Sequence, residues 1–557
     1  MIKKILMLLM VIVTISINNS CTKLNEKILD ESSVAGLTEK QQAEGIIAPV
    51  YAKLEDVFVN TGYFDLQEIS TDEAILPFRG GTDWGDNGIY VQMHKHEVIS
   101  SDDNIRTIWN NILIGISRSL TAITTLPTNT DGNAKVFLAE ARGMRAYYSL
   151  LTLDLFGLIF VKEDPLETSK ILRGEEAIAY IKSELLAVEP LLDNTTGPGR
   201  ITKAGVQGLL ARLYLNAAVY RDIYAGSFTF KNEDMDKAIE YCDKIISSGQ
   251  YALATEYFSI FNDNNHTNKE LIFAVDQRFD LNGHNRIAYF SLSGDQYPLP
   301  AWPTANGTDG AAITPDFYRT WVNAYLPVDP AAADPRFYKK NLIIPVDSCL
   351  PVAQYNIDRG ILRGQQYGML RNAVKCANGN LKITKLFSVR RNLPNLPVDF
   401  KEQVDFTIPG SNYSTGFRVS KYEFSKTSET GRNKGEHDII ILRLADIYLM
   451  RAEAKLRKNA ADATALADVN FVRAARTATT PAAPLPSITL DLLFRERGFE
   501  FYWEMVRRTD MIRFGKYEGT WTEKTNTDVN KRIFPIPQTA VDAASNIPGY
   551  LIQNQSY

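Results

Sequence analysis

The chain has 557 residues, of which 45% are apolar and 23% charged, with a formal charge of −4. These are the proportions of a folded chain, and they exclude a disordered polymer, a collagen-like repeat and a disulfide-dense mini-scaffold. Near-neutral charge without any lysine and arginine tract argues against a nucleic-acid partner. The one uninterrupted apolar run, Ile5–Ile17, is shorter than the roughly 20 residues that a spanning helix needs, which excludes a polytopic membrane protein.

The N-terminus reads as an address. Lys3 and Lys4 precede the apolar run, and Ser20 stands directly before Cys21. This layout resembles a bacterial lipoprotein signal, with Asn18 where Leu is usual. Residues 1–20 are expected to be removed and Cys21 to be acylated. Several acyl chains exceed the two membrane signals that stable anchoring takes. Residues 21–35, polar and mixed in charge, suit a flexible tether. Three cysteines then remain. Cys242 falls in a helical pattern and reads as a small core residue. Cys349 and Cys376 flank a polar stretch as the possible ends of a closed loop, and spacing leaves their pairing open.

Residues 36–261 are predicted to be mostly helical. Apolar spacing gives helices over Gln41–Asp56 behind a Thr38 cap, Asp103–Thr124, Lys135–Phe156 stopped by Gly157, and Glu175–Leu191. Two more follow, Thr202–Tyr220 with Thr202 as its cap and Asp234–Ser248 closed by Gly249. Residues 262–435 are rich in Pro, Gly, Asn and aromatics and carry few helical stripes, the character of long binding loops. Helices return over Ile439–Lys458, Ala461–Arg476 and Thr489–Phe514 within residues 436–515. Residues 262–557 form the C-terminal region of a single structural unit. Ala445, Ala452 and Ala454 give one helix a small-residue surface, and Ala465, Val469 and Val472 supply its partner. The fold class is therefore mostly α, a tetratricopeptide-like scaffold of helical pairs with a large irregular loop-rich lobe.

Three constellations carry candidate chemistry. Glu496, Glu500 and Glu504 lie at i, i+4 spacing, with Arg508 four further on. A glycosidase needs two carboxylates facing across a cleft, so a stripe interleaved with arginine reads as an ion-pair network. Two loops contain what a sugar needs, flat rings beside carboxylates and amides. One holds Asp83, Trp84, Asp86 and Asn87, the other Tyr297 and Trp302 between prolines; these six are the candidate ligand-binding residues. The alternative for each ring is packing in its own core, which is the favoured reading for Trp321. His94 and His96 are expected on one face of a strand without a recognisable ligand set. The acids at 83 and 86 do not have EF-hand spacing, so no metal is expected, and without a Gly-x-Ser-x-Gly, Walker or Rossmann pattern no cofactor or catalytic residue is expected.

Five motifs in order resemble the SusD/RagB family. They are Ala139–Tyr148 running on to Gly157, Arg200–Leu215, Leu444–Ala454, Arg495–Glu500 with Arg507–Gly515, and Phe534–Pro537 with the ending from Asn546 to Tyr557. They cover the helical parts well and residues 262–435 poorly. Asn546-Ile547-Pro548 replaces a usual Asn-Pro, and Phe514 stands where Trp is common. The resemblance implies a non-enzymatic lipoprotein at the outer membrane, anchored through Cys21 and facing outward. It implies an oligosaccharide ligand, delivered to a SusC-like TonB-dependent transporter, with the residue 72–90 loop near the ligand face. The same architecture serving peptides is the alternative. A secreted glycoside hydrolase and a purely structural tetratricopeptide adaptor fit the residues less well.

Overall fold

Side-chain caps set the helix starts. Thr38 opens the helix Glu39–Val57 with a capping box, its hydroxyl accepting from the Gln41 N–H while Gln41 Oε1 accepts from the Thr38 N–H. Asp102 caps Asp103–Thr125 and Thr202 caps Lys203–Arg221 in the same way, through the N–H groups of Ile105 and Gly205. Each such cap contributes about 1 kcal/mol. Gly157, at φ 70°, ends Ala134–Phe156 in the left-handed region that favours glycine. The structure, a computed structural model, describes residues 36–79, 84, 87–278, 286–390, 393–407, 411–426 and 435–557.

The helices stack in chain order. Glu39–Val57 packs on Asp103–Thr125, which packs on Ala134–Phe156; Gly174–Val188, Lys203–Arg221 and Asn232–Ser247 follow. Leu444–Lys458 then packs directly on Asn232–Ser247 and is followed by Ala463–Ala474. The stack is thus continuous in space across residues 248–443, which leave it to build the lobe. Ala445, Ala452, Ala465, Val469 and Val472 interlock in a core of their own. Small side chains let these two helices approach, which gives the expected tetratricopeptide-like scaffold.

The lobe is made of short antiparallel ladders. Arg359–Leu362 lies between Tyr338–Lys339 and Arg418–Ser420. Ile439–Arg443 pairs with Leu271–Val275 and leads straight into Leu444–Lys458, which ties lobe to stack. Cys349 and Cys376 are disulfide-bonded. Cys242 is a free thiol buried under its helix, the small core residue expected.

Three expected elements differ: the helix predicted over Ile439–Lys458 begins only at Leu444, because Ile439–Arg443 is drawn into the ladder with Leu271–Val275. The helix predicted over Thr489–Phe514 ends at Phe501, and another runs over Arg507–Arg513. Between them Trp503 and Met505 adopt φ of 65° and 60°, a conformation costing roughly 1–2 kcal/mol per residue. Two acids from far upstream hold it. Glu73 accepts from the Trp503 N–H at 2.6 Å, and Glu68 accepts from the Met505 N–H. His94 and His96 are not on a strand either. His94 lies in the short helix Ile89–Lys95 and His96 caps its end. Both rings are buried and bond backbone carbonyls, His94 those of Ile69, Ala74 and Thr522, His96 that of Ser70.

Candidate functional site

Trp84 is half-buried. Its indole N–H donates to the Thr308 carbonyl at 2.9 Å, and its ring meets Tyr90 and Phe290 edge-on at 5.8 and 5.5 Å. The Thr308 segment is itself fixed by arginines. Arg79 donates to the carbonyls of Asp309, Gly310 and Thr415, and Arg390 to the carbonyl of Gly307 at 2.7 Å and the Asp309 carboxylate at 3.3 Å. Burial lowers the Arg79 guanidinium to about 9. Trp84 therefore stands on a polar mount that crosses from the residue 72–90 loop to the 289–310 loop. Asn87 follows it, exposed and at φ 59°. Asp83 and Asp86 lie outside the described residues, as does Cys21.

The two loops meet through Trp84 and Arg79, not through Tyr297 and Trp302. Tyr297 is completely buried against Tyr289 and Phe424. Trp302 retains 5% exposure, stacked at 5.5 Å on Tyr355 and edge-on to Phe424. The expected stacking platform is therefore corrected: both rings are core beneath the loop, because the 350s and the strand-flanking Phe424 close over them. Trp321 is fully buried, stacked on Phe499 at 3.7 Å. Arg79, Arg390 and the Thr308 carbonyl were not singled out from sequence. Only the position of Arg79 in the same loop as Trp84 signals it.

The acidic stripe is locked in ion pairs. Glu500 meets Arg443 at 2.7 Å, Arg476 at 2.8 Å and Arg336 at 3.0 Å, and Glu496 meets Arg336 and Arg473, both at 2.7 Å. Glu504 meets Arg443 at 2.7 Å and Lys421 at 2.6 Å. Burial raises the Glu500 carboxyl, but the three guanidiniums outweigh it and hold it far below the usual range. A second network joins Asp446 to Arg497 and Arg212, and Arg513 to Glu453 and Asp510. Burial again opposes ionisation at Asp446 and Glu453, yet the arginines bring both to about 2. Carboxylates so neutralised and buried dock helices and lobe; they present no acid or base to a substrate.

One further cluster brings metal-ligating groups together. His266 Nδ1 lies 2.7 Å from Asp438 and 3.9 Å from Asp276. Its hydrogen bond to Asp438 raises the imidazole above its ordinary value, and Arg278 pairs with Asp276 at 2.8 Å. The three groups satisfy one another and the arginine without an ion.

The fold is a helical-pair stack carrying a loop lobe, with an aromatic mounted where two loops meet. Residues 400–532 match the model of the SusD family. The starch-binding protein SusD of Bacteroides thetaiotaomicron is 27% identical over 522 residues, 89% of this chain and 85% of that protein. Among solved structures, a SusD superfamily protein from Parabacteroides distasonis superposes with a TM-score of 0.67 at 18% identity, covering 94% of this chain and all of that one. Surface glycan-binding protein A from Bacteroides thetaiotaomicron, in complex with laminarihexaose, gives 0.63 at 20% identity, covering 92% of this chain and 99% of that one. The chain is thus similar to SusD proteins along most of its length, and shares their fold.

Proposed function

We propose that this protein binds oligosaccharide at the outer surface of the outer membrane and delivers it to a SusC-like TonB-dependent transporter, without catalysing a reaction. The correspondence along nearly the whole chain with a starch-binding protein carries the reading. The local chemistry supports it. Trp84 offers part of an indole to a pyranose face, and Asn87 offers an amide to its hydroxyls, with Asp83 and Asp86 as their neighbours in the loop. The carboxylates of the Glu496–Glu504 stripe are consumed by arginines and Lys421, which supports binding without hydrolysis there. Residues 1–20 are the signal, 21–35 the tether, and 36 onward one structural unit. No helix among the described residues is long and apolar enough to cross a membrane, and in this reading the lipid on Cys21 is the anchor.

Electrophoresis through gels containing soluble starch, laminarin or xyloglucan, with reducing ends assayed in parallel, tests the proposal. Retardation in at least one glycan without new reducing ends is expected. New reducing ends would mean an enzyme, and retardation by none of them, with binding to a peptide mixture, would mean a different nutrient.

A further inference from the structure

A second concavity lies in the lobe, and none of the sequence motifs falls in it. It encloses about 1040 Å³ and is lined by residues 338–346, 358–367 and 400–402, with Tyr318 and Phe417. This is at the upper end of the size that small-molecule sites take. Its floor is apolar: Ile361, Phe400 and Phe417 are buried.

The polar groups around that floor fall into two sets. The first is fixed. Asp358 accepts the Tyr338 hydroxyl at 2.5 Å and the N–H groups of Asn341 and Leu342 at 2.7 and 3.0 Å. Arg363 donates to the Tyr318 hydroxyl at 3.1 Å and to Asp329 at 2.9 Å. The Gln366 amide nitrogen donates to the carbonyls of Arg363 and Gly364. The second set is uncommitted. The Tyr367 ring is 47% exposed and makes no side-chain hydrogen bond or ring contact among the described residues. Lys340 and Lys401 make no ion pair among them, and Gln366 Oε1 accepts no hydrogen bond.

We infer that this groove is a second carbohydrate subsite, separate from the Trp84 mount and resting on the glycan-binding reading above. An exposed flat ring over an apolar floor supplies stacking for a sugar's C–H face. Ammonium and phenol donors and an amide acceptor, on a framework already held by its own hydrogen bonds, supply partners for hydroxyls at little ordering cost. The two subsites also share one rigid frame. Ile361 pairs with Val419, the Phe417 carbonyl accepts the Ile313 N–H at 3.0 Å, and Ile313 pairs with Ala74 at the base of the Trp84 loop. A polymeric glycan reaching both would gain by effective concentration what neither gives alone.

The test uses the whole protein with soluble starch, laminarin and xyloglucan as probes, comparing wild type, Trp84→Ala and Tyr367→Ala. For a glycan that retards the wild type, Tyr367→Ala is expected to weaken retardation about tenfold or more, with its melting temperature unchanged. Hydrogen exchange of the wild type is the second measurement. The glycan should slow exchange in residues 338–346 and 363–367. Retention of wild-type affinity by Tyr367→Ala, with no slowing in those segments, overturns the groove while leaving the Trp84 reading standing. Failure of the wild type to bind any of the three overturns both.

Discussion

The carboxyl of Glu73 accepts the Trp503 N–H at 2.6 Å across 430 residues of sequence. Burial raises Glu73 from 4.5 to about 7, against the pull of Arg507 and the Trp503 N–H. Glu68, which accepts from the Met505 N–H, is also raised well above the usual carboxylate range, by burial first and by its acidic neighbour Glu73. Between about pH 4.5 and 7 the folded chain keeps on Glu73 a proton that the unfolded chain has lost, so the contribution of Glu73 is full below that window and falls as pH rises through it. Asp263, also raised by burial to about 7, has the same sign. Asp446 and Glu453, at about 2, act oppositely and lose their contribution only in strong acid. Burial also holds His94, His96 and His437 below their ordinary value, which makes stability rise with pH up to about 6.5, so the melting temperature should fall as pH is raised from about 6.5 to 8. Glu73→Gln keeps an acceptor for Trp503 without a titrating group and should make that slope shallower. An unchanged slope in calorimetric scans would rule out Glu73 as its source.

Arg443 touches Glu270, Glu500 and Glu504, and all four side chains are at most 4% exposed. Removing the guanidinium leaves three buried carboxylates short of a cation. Arg443→Ala should cost about 3–5 kcal/mol, read as a shift of the urea midpoint with little change in slope. Lys40→Ala, which removes the exposed pair with Glu44, is the control and should leave the midpoint in place.

Local chemistry made much of this legible. The Thr38 and Thr202 caps, the Gly157 stop, the buried Cys242 and the reading of the Glu496 stripe as ion pairs each follow from neighbours within a turn or two. What was not legible depends on partners remote in sequence. Nothing near Trp503 announces a break, because Glu68 and Glu73 impose it. His94 and His96 look like alternating strand residues, but the helix there is one short element closed by a left-handed cap. Tyr297 and Trp302 have the composition of a platform, and burial by Tyr355 and Phe424 decides against it. The lobe groove draws on three segments that share no motif.

Burial separates the candidate rings by experiment. Trp302→Ala and Tyr297→Ala remove buried rings and should each cost several kcal/mol of stability, about 3–5 for the larger ring. Trp84→Ala removes a half-buried ring, so it should lower the melting temperature less and weaken glycan binding by about 1–3 kcal/mol. Calorimetric titration with the glycan that gives retardation, beside thermal melts of all three variants, checks the ordering. A Trp84→Ala protein that binds as tightly as wild type would remove Trp84 from the site.

The anchor is the remaining test, and it turns on one sulfur. Lys3, Lys4 and the apolar run Ile5–Ile17 can bring the chain to the export machinery whether or not Cys21 is acylated. Retention at the membrane is a separate matter. On the proposed reading it needs the acyl chains, each buried methylene contributing about 0.8 kcal/mol, so that two or more chains hold firmly where one binds only marginally. Cys21→Ala should therefore leave export intact and move the protein from the membrane fraction to the soluble one. Labelled palmitate should enter the wild type and not the variant, and the mature wild type should lack residues 1–20 by mass. A Cys21→Ala protein that still partitions into the detergent phase would show an anchor other than this cysteine.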